Sequence, residues 1–212
     1  MDMKNTPGQH LAVGAFALAL VFGMNFFLEV PWSTALGRTS FVLLFLVLII
    51  GPITRFSKPT ESGSPFLLPW SWRGELGIWF TLTGLAHFIV ILLDTPLNSL
   101  IKIGGSGFSL ANLLGLVALF WGVILMITSF NKVIKFLGIM SWRWLHSLTY
   151  VIFYLISAHY MYFQYFSTYG KVGPDWFGYV ATTMTLLVII LQFTAFIFSV
   201  KKYRLEQGAK MD

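Results

Sequence analysis

The residues able to do chemistry in this 212-residue chain are few: four histidines, and no cysteine. Without thiols there are no disulfides, no thiolate nucleophile, no iron–sulfur cluster and no Cys-ligated zinc, so any redox chemistry must come from a bound cofactor. His87 follows Arg73 by fourteen residues and His159 follows Arg143 by sixteen. On α-helices those intervals are roughly 21 and 24 Å. If both arginines mark one membrane interface, the two imidazoles lie at nearly the same depth on parallel helices. There they could ligate one iron from opposite faces of a b-type haem, because imidazole is a strong neutral ligand and haem a large apolar body. The plainer alternative is that each histidine hydrogen-bonds a neighbouring helix.

His146 lies only about 4.5 Å beyond Arg143 along the axis. Its offset of thirteen from His159 corresponds to roughly 220° around an ideal helix, so the two share a face only if the helix is distorted. Its roles stay open: ligand to a second haem, quinone contact, or interface residue. His10 stands in a polar stretch and receives no role. Arg38, one turn inside its helix, either snorkels to the interface or meets haem propionates, since guanidinium pairs bidentately with carboxylate. The aromatic run Tyr150, Phe153, Tyr154, Tyr160, Tyr162, Phe163 and Tyr165 suits haem packing but equally suits an ordinary membrane core.

The elements that must position these groups follow from composition. The chain is 57% hydrophobic and 10% charged, where soluble domains carry about 25% charged residues. Apolar runs predict an all-α bundle of six transmembrane helices forming one domain, at about 11–28, 35–53 (stopped by Pro52 and Arg55), 74–93, 109–130, 142–166 and 176–200. Met1–Gln9 lacks a basic start and a cleavage site, so the first span is expected to be retained. No Asp, Glu, Lys or Arg is expected deep in any span, which argues against a transporter.

The net charge of +6 and pI near 9.6 would suggest a nucleic-acid partner in a soluble protein; here topology explains them and no nucleic acid is expected. Lys4, Arg55, Lys58, Arg73, Lys132, Lys135, Arg143, Lys201, Lys202, Arg204 and Lys210 fall on one side, against Arg38, Lys102 and Lys171 on the other. The positive-inside rule then places both termini in the cytoplasm. Ser71-Trp72-Arg73 before the third helix and Ser141-Trp142-Arg143 before the fifth serve as a depth ruler.

Three blocks carry a resemblance: Gly37-Arg38-Thr39 with the apolar run to Gly51-Pro52 and Arg55; Arg73-Gly74-Glu75-Leu76-Gly77-Ile78-Trp79 leading to Leu85-Ala86-His87; and Trp144-Leu145-His146 with Tyr150 and Ala158-His159-Tyr160. In these the chain resembles the ferric-reductase-like transmembrane superfamily, and within it the small bacterial MsrQ (YedZ) proteins. The resemblance implies haem b held by histidines at the positions of His87, His146 and His159, in a bacterial inner membrane. It also implies quinol or a cytosolic flavin reductase as donor, with quinone or FMN as further cofactors. The implied acceptor is a periplasmic molybdenum-containing methionine sulfoxide reductase, MsrP-like. The alternatives are a reductase subunit serving ferric iron or another acceptor, and a non-redox transporter or structural subunit. No Rossmann fingerprint or P-loop is present, so electrons are expected from a partner or from membrane quinol.

Overall fold

A computed structural model of the chain describes residues 7–56, 72–102, 107–167 and 173–208. Lys4, Lys58, Ser71, Lys171, Lys210 and the glycine pair Gly104-Gly105 lie outside them. Every described element is helical: α1 (Pro7–Leu28), α2 (Trp32–Phe56), α3 (Trp72–Asp94), α4 (Leu97–Leu100), α5 (Gly107–Ile127), α6 (Asn131–Leu137), α7 (Ile139–His146), α8 (Thr149–Met161), a π-helical turn (Tyr162–Phe166), and α9 (Trp176–Gly208). Five of these, α1, α2, α3, α5 and α9, are long and apolar enough to cross a membrane. The stretch expected as a single fifth span is instead divided into α7, α8 and the π turn.

The division has local causes. Ser147 and Leu148 bond back to the carbonyls of Trp144 and Leu145 in i to i+3 fashion, and the hydroxyls of Ser147 and Thr149 occupy the carbonyls of Trp144 and His146. Side chains that compete for backbone acceptors disfavour a continuous helix. Pro52 does the reverse of what was expected: it does not stop α2, which continues to Phe56. Proline clashes with the Cβ of the residue before it, and that residue is Gly51, which has none. The bond to the Leu48 carbonyl is lost, and the ring stands against that carbonyl in its place. α9 continues past the expected end at 200 to Gly208.

α2 lies at the centre, packed against α1, α3, α8 and α9. It is antiparallel to α3, with Gly37 beside His87, Ser40 bonded to the Phe80 carbonyl, and Gly51 near Arg73. α3 is antiparallel to α5 through the Thr81 hydroxyl on the Gly122 carbonyl (3.2 Å). α5 in turn is antiparallel to α8, since His159 reaches Ala111 and His146 reaches Thr128. Ser157 with Thr185, and Tyr150 with Gln192, set α8 antiparallel to α9. Polar side chains between helices, bonded to each other or to backbone, are the expected adhesive where lipid supplies no hydrophobic drive. The centre is filled by Phe41, Phe153 and Phe177, all fully buried, with Phe41 5.5 Å from Phe153 and 6.4 Å from Phe177. Outward, Phe16, Phe22, Ile89, Phe120, Ile190 and Phe193 are exposed, as lipid-facing positions require.

α1 is held on by a close approach: a Cβ at Gly14 would overlap the Trp79 indole of α3. Gly14→Val should therefore push α1 outward and cost about 1–3 kcal/mol. The check is thermal unfolding in detergent, with Gly23→Val, whose Cβ meets nothing, unchanged.

Candidate functional site

Lipid-depth polar groups need internal partners, and the two deep histidines find theirs in the same way. His87 Nδ1 lies 2.7 Å from the Ser33 carbonyl of α2, and His159 Nδ1 lies 2.7 Å from the Ala111 carbonyl of α5. A carbonyl only accepts, so each Nδ1 carries the proton and each Nε2 keeps its lone pair. In an α-helix the carbonyl of residue i also takes the N–H of residue i+4. For Ser33 that residue is Gly37, and for Ala111 it is Gly115. Each imidazole thus lies across a glycine: a Cβ would stand 3.1 Å from His87 Nδ1 at Gly37 and 2.8 Å from His159 Nδ1 at Gly115. The two hairpins, α2–α3 and α5–α8, repeat one arrangement.

Both histidines border one cavity of about 420 Å³, walled chiefly by apolar side chains including Phe80, Phe88, Leu116, Leu119 and Phe163. Phe163, delivered by the π turn, stands edge-on to His159 at 5.1 Å. π-helical turns recur at functional sites because they rephase the side chains that follow.

Arg38 borders the same cavity and is 3% exposed. It does not snorkel to the surface. Its guanidinium pairs with Asp175 and lies 5.5 and 5.1 Å from the rings of Trp176 and Phe177. Arg38 Nε and the Tyr160 hydroxyl, both on the cavity wall, have no acceptor among the described residues. Asp175 also receives the Gly178 N–H at the start of α9, and Gln164 holds the Asp175 N–H.

Asp175 and the Tyr160 hydroxyl went unnoticed in the sequence. An Asp immediately before the apolar run at Trp176 is a helix-cap signal and could have been read, whereas nothing in the sequence marks which of seven clustered aromatics faces the cavity. Glu75 was not expected to matter either. It is fully buried in the first turn of α3, with both carboxylate oxygens unpartnered among the described residues.

His146 lies at the other end of the bundle, away from the cavity. Its Nε2 is 3.2 Å from the Thr128 hydroxyl, and its ring lies 4.2 Å from that of Trp142, tilted by 30°. The break at Ser147 and Leu148 supplies the distortion that an ideal helix lacks, so that His159 meets α5 and His146 meets Thr128, the residue just past the end of α5.

These groups can be tested against what they would hold. Among the described residues no three His, Cys, Asp or Glu side chains converge, so a bare ion with a full protein ligand set is not provided for. Two imidazoles with free Nε2 atoms suit a metal whose other ligands come from an apolar macrocycle. The orphaned Arg38 Nε and Tyr160 hydroxyl suit a carboxylate at its edge.

A protein-family model described as the ferric reductase like transmembrane component matches residues 36–157, more than half of the chain. The match takes in Arg38, His87 and His146 and ends two residues before His159. No curated protein matches the chain.

The glycine contacts predict an order of severity. Gly115→Ala, with its Cβ 2.8 Å from His159 Nδ1, should lower the thermal unfolding midpoint in detergent more than Gly37→Ala, at 3.1 Å from His87 Nδ1, both keeping their helical circular dichroism.

Proposed function

The chain belongs to the ferric reductase-like transmembrane component family, and from that premise we propose that it carries electrons through haem b held by His87 and His159. The observation supporting this most directly is the pair of imidazoles with backbone-bonded Nδ1 atoms at the wall of one apolar cavity. Bound there, haem would supply one-electron transfer, with His87 and His159 as the residues that would hold it. The protein's part is to fix the ligands. A Nδ1–H bonded to a carbonyl sets the tautomer and ring plane and raises the basicity of Nε2. Arg38 and Tyr160 offer donors to the propionates, while Asp175 keeps the guanidinium charge partly balanced.

The remainder of the reading concerns direction. We place six spans in the membrane, α8 and the π turn forming the fifth with α7 at its cytoplasmic interface, and both termini cytoplasmic on the strength of the Lys and Arg distribution. His87, His159, Arg38 and Asp175 then lie towards the outside and His146 towards the cytoplasm. Electrons would enter at the His146 end, from quinol or a cytosolic flavin reductase with FMN, His146 acting as a second ligand or a quinol contact. They would leave at the Arg38–Asp175 end to an extracytoplasmic acceptor, with an MsrP-like periplasmic molybdenum-containing methionine sulfoxide reductase the leading candidate. The location is a bacterial inner membrane.

Two outcomes test the reading. Purified wild-type protein should show a Soret band that His87→Ala and His159→Ala each largely abolish; stoichiometric haem with an unchanged spectrum in His87→Ala would overturn the ligand assignment. In reconstituted protein under rapid mixing, His146→Ala should slow haem reduction by the donor while leaving reoxidation by an outside acceptor at the wild-type rate. Normal reduction with impaired reoxidation would reverse the assigned direction.

A further inference from the structure

The connection between α5 and α8 is built of two helices that the protein does not bury. α6 and α7 contain no buried residue, yet they expose some of the largest apolar side chains in the chain: Phe136 at 88%, Met140 at 75% and Trp144 at 74%. Lys132, Lys135 and Arg143 are exposed on the same two helices. Counted at 100° per residue, each helix turns one outward arc, of about 100° on α6 and about 140° on α7. On α6 it holds Lys132, Lys135 and Phe136; on α7 it holds Ile139, Met140, Arg143 and Trp144. Half-buried Val133, Ile134 and Leu137, then Trp142 and Leu145, occupy the opposite arcs, with half-buried His146 at the margin between them on α7. Gly138, at φ +76°, joins the two helices in a conformation that L side chains rarely adopt.

The tethers limit what can cover this arc. Three residues separate α5, a membrane-crossing helix, from α6, and two separate α7 from α8, so the segment cannot leave the bilayer surface. Basic side chains beside Trp and Phe on a short amphipathic helix are the chemistry of an interfacial element, with the rings at the headgroup and acyl boundary and the cations among phosphates. We propose that α6 and α7 form a latch on anionic phospholipid, with Lys132, Lys135 and Arg143 taking the headgroups and Phe136, Met140 and Trp144 entering the boundary.

The inner arc shows what the latch would steady. The Trp142 indole N–H donates to the Thr128 carbonyl (3.1 Å), the Thr128 hydroxyl meets His146 Nε2, and Trp142 lies over the His146 ring. These contacts, with Leu145 against the core, hold α7 to the bundle. Lipid attachment on the outer arc therefore fixes the position of His146 whatever that residue does in electron transfer. The proposal requires only that the chain spans a membrane, so it stands or falls separately from the haem assignment.

The test is amide hydrogen exchange of residues 131–146 in nanodiscs of phosphatidylcholine alone and of phosphatidylcholine mixed with phosphatidylglycerol. Protection should rise in the anionic discs, each basic side chain contributing up to about fivefold. The rise should vanish in K132Q/K135Q/R143Q and return in K132R/K135R/R143K. F136S/W144S should lower protection in both lipids. Equal protection in the two lipids for the wild type, or a lipid-dependent rise that survives in the glutamine variant, would overturn the proposal. Exchange in α2 and α5, unchanged throughout, shows that each variant is folded.

Discussion

The arrangement turns on two backbone carbonyls. In water an imidazole N–H finds a partner anywhere; at membrane depth it must be given one, and a helix carbonyl already engaged with its own ladder is the acceptor available in an all-helical bundle. Sharing the carbonyls of Ser33 and Ala111 draws each imidazole flat against the neighbouring helix one turn further along, where any side chain larger than hydrogen would obstruct it. The glycines at 37 and 115, the close packing of α2 on α3 and of α5 on α8, and the orientation of both Nε2 atoms follow from that one constraint. It also explains why two helix pairs with little sequence in common present the same local geometry.

The repeat extends to spacing. Arg73 to His87 covers fourteen residues and Arg143 to His159 sixteen, yet the two histidines border one cavity. The helical path from Arg143 is interrupted by Ser147 and Leu148, two residues outside regular helix, and α3 has no such interruption. The interruption corresponds in length to the excess. It also turns His146 towards α5, the helix that His159 meets thirteen residues later. At the far end of α8 the π turn adds a second departure, one that brings Phe163 to the His159 ring and Gln164 to the start of α9.

Much of this was legible in the sequence because membrane helices are written in composition. Apolar runs located α1, α2, α3, α5 and the start of α9 to within a few residues, while α9 ran eight residues past its expected end, and depth counted from Arg73 and Arg143 singled out His87 and His159 as a pair. What was not legible was decided by contacts between distant segments. Pro52 reads as a stop unless the missing Cβ of Gly51 is weighed, and the break after His146 depends on which backbone carbonyls the Ser147 and Thr149 hydroxyls choose. α6 has too few residues for apolar periodicity to register, so the sequence showed only a loop with basic residues there, and most of α7 was read as the start of the fifth span. Asp175 was hidden because its importance lies 137 residues away, in Arg38.

That ion pair bears on why a guanidinium can sit in such a place. An isolated buried cation is costly, and pairing recovers the cost only when geometry and further contacts are good. Arg38 has the Asp175 carboxylate on one side and the faces of Trp176 and Phe177 close by, and Asp175 is itself held as the cap of α9. The cation is therefore balanced by Asp175, while its Nε has no acceptor among the described residues in a side chain that borders the cavity. Tyr160, on α8, adds a second unengaged donor to the same wall. Two buried donors without acceptors favour an anionic occupant. For the haem proposed above, the apolar walls and paired imidazoles would meet the centre of the ring and the Arg38 and Tyr160 donors its acidic edge.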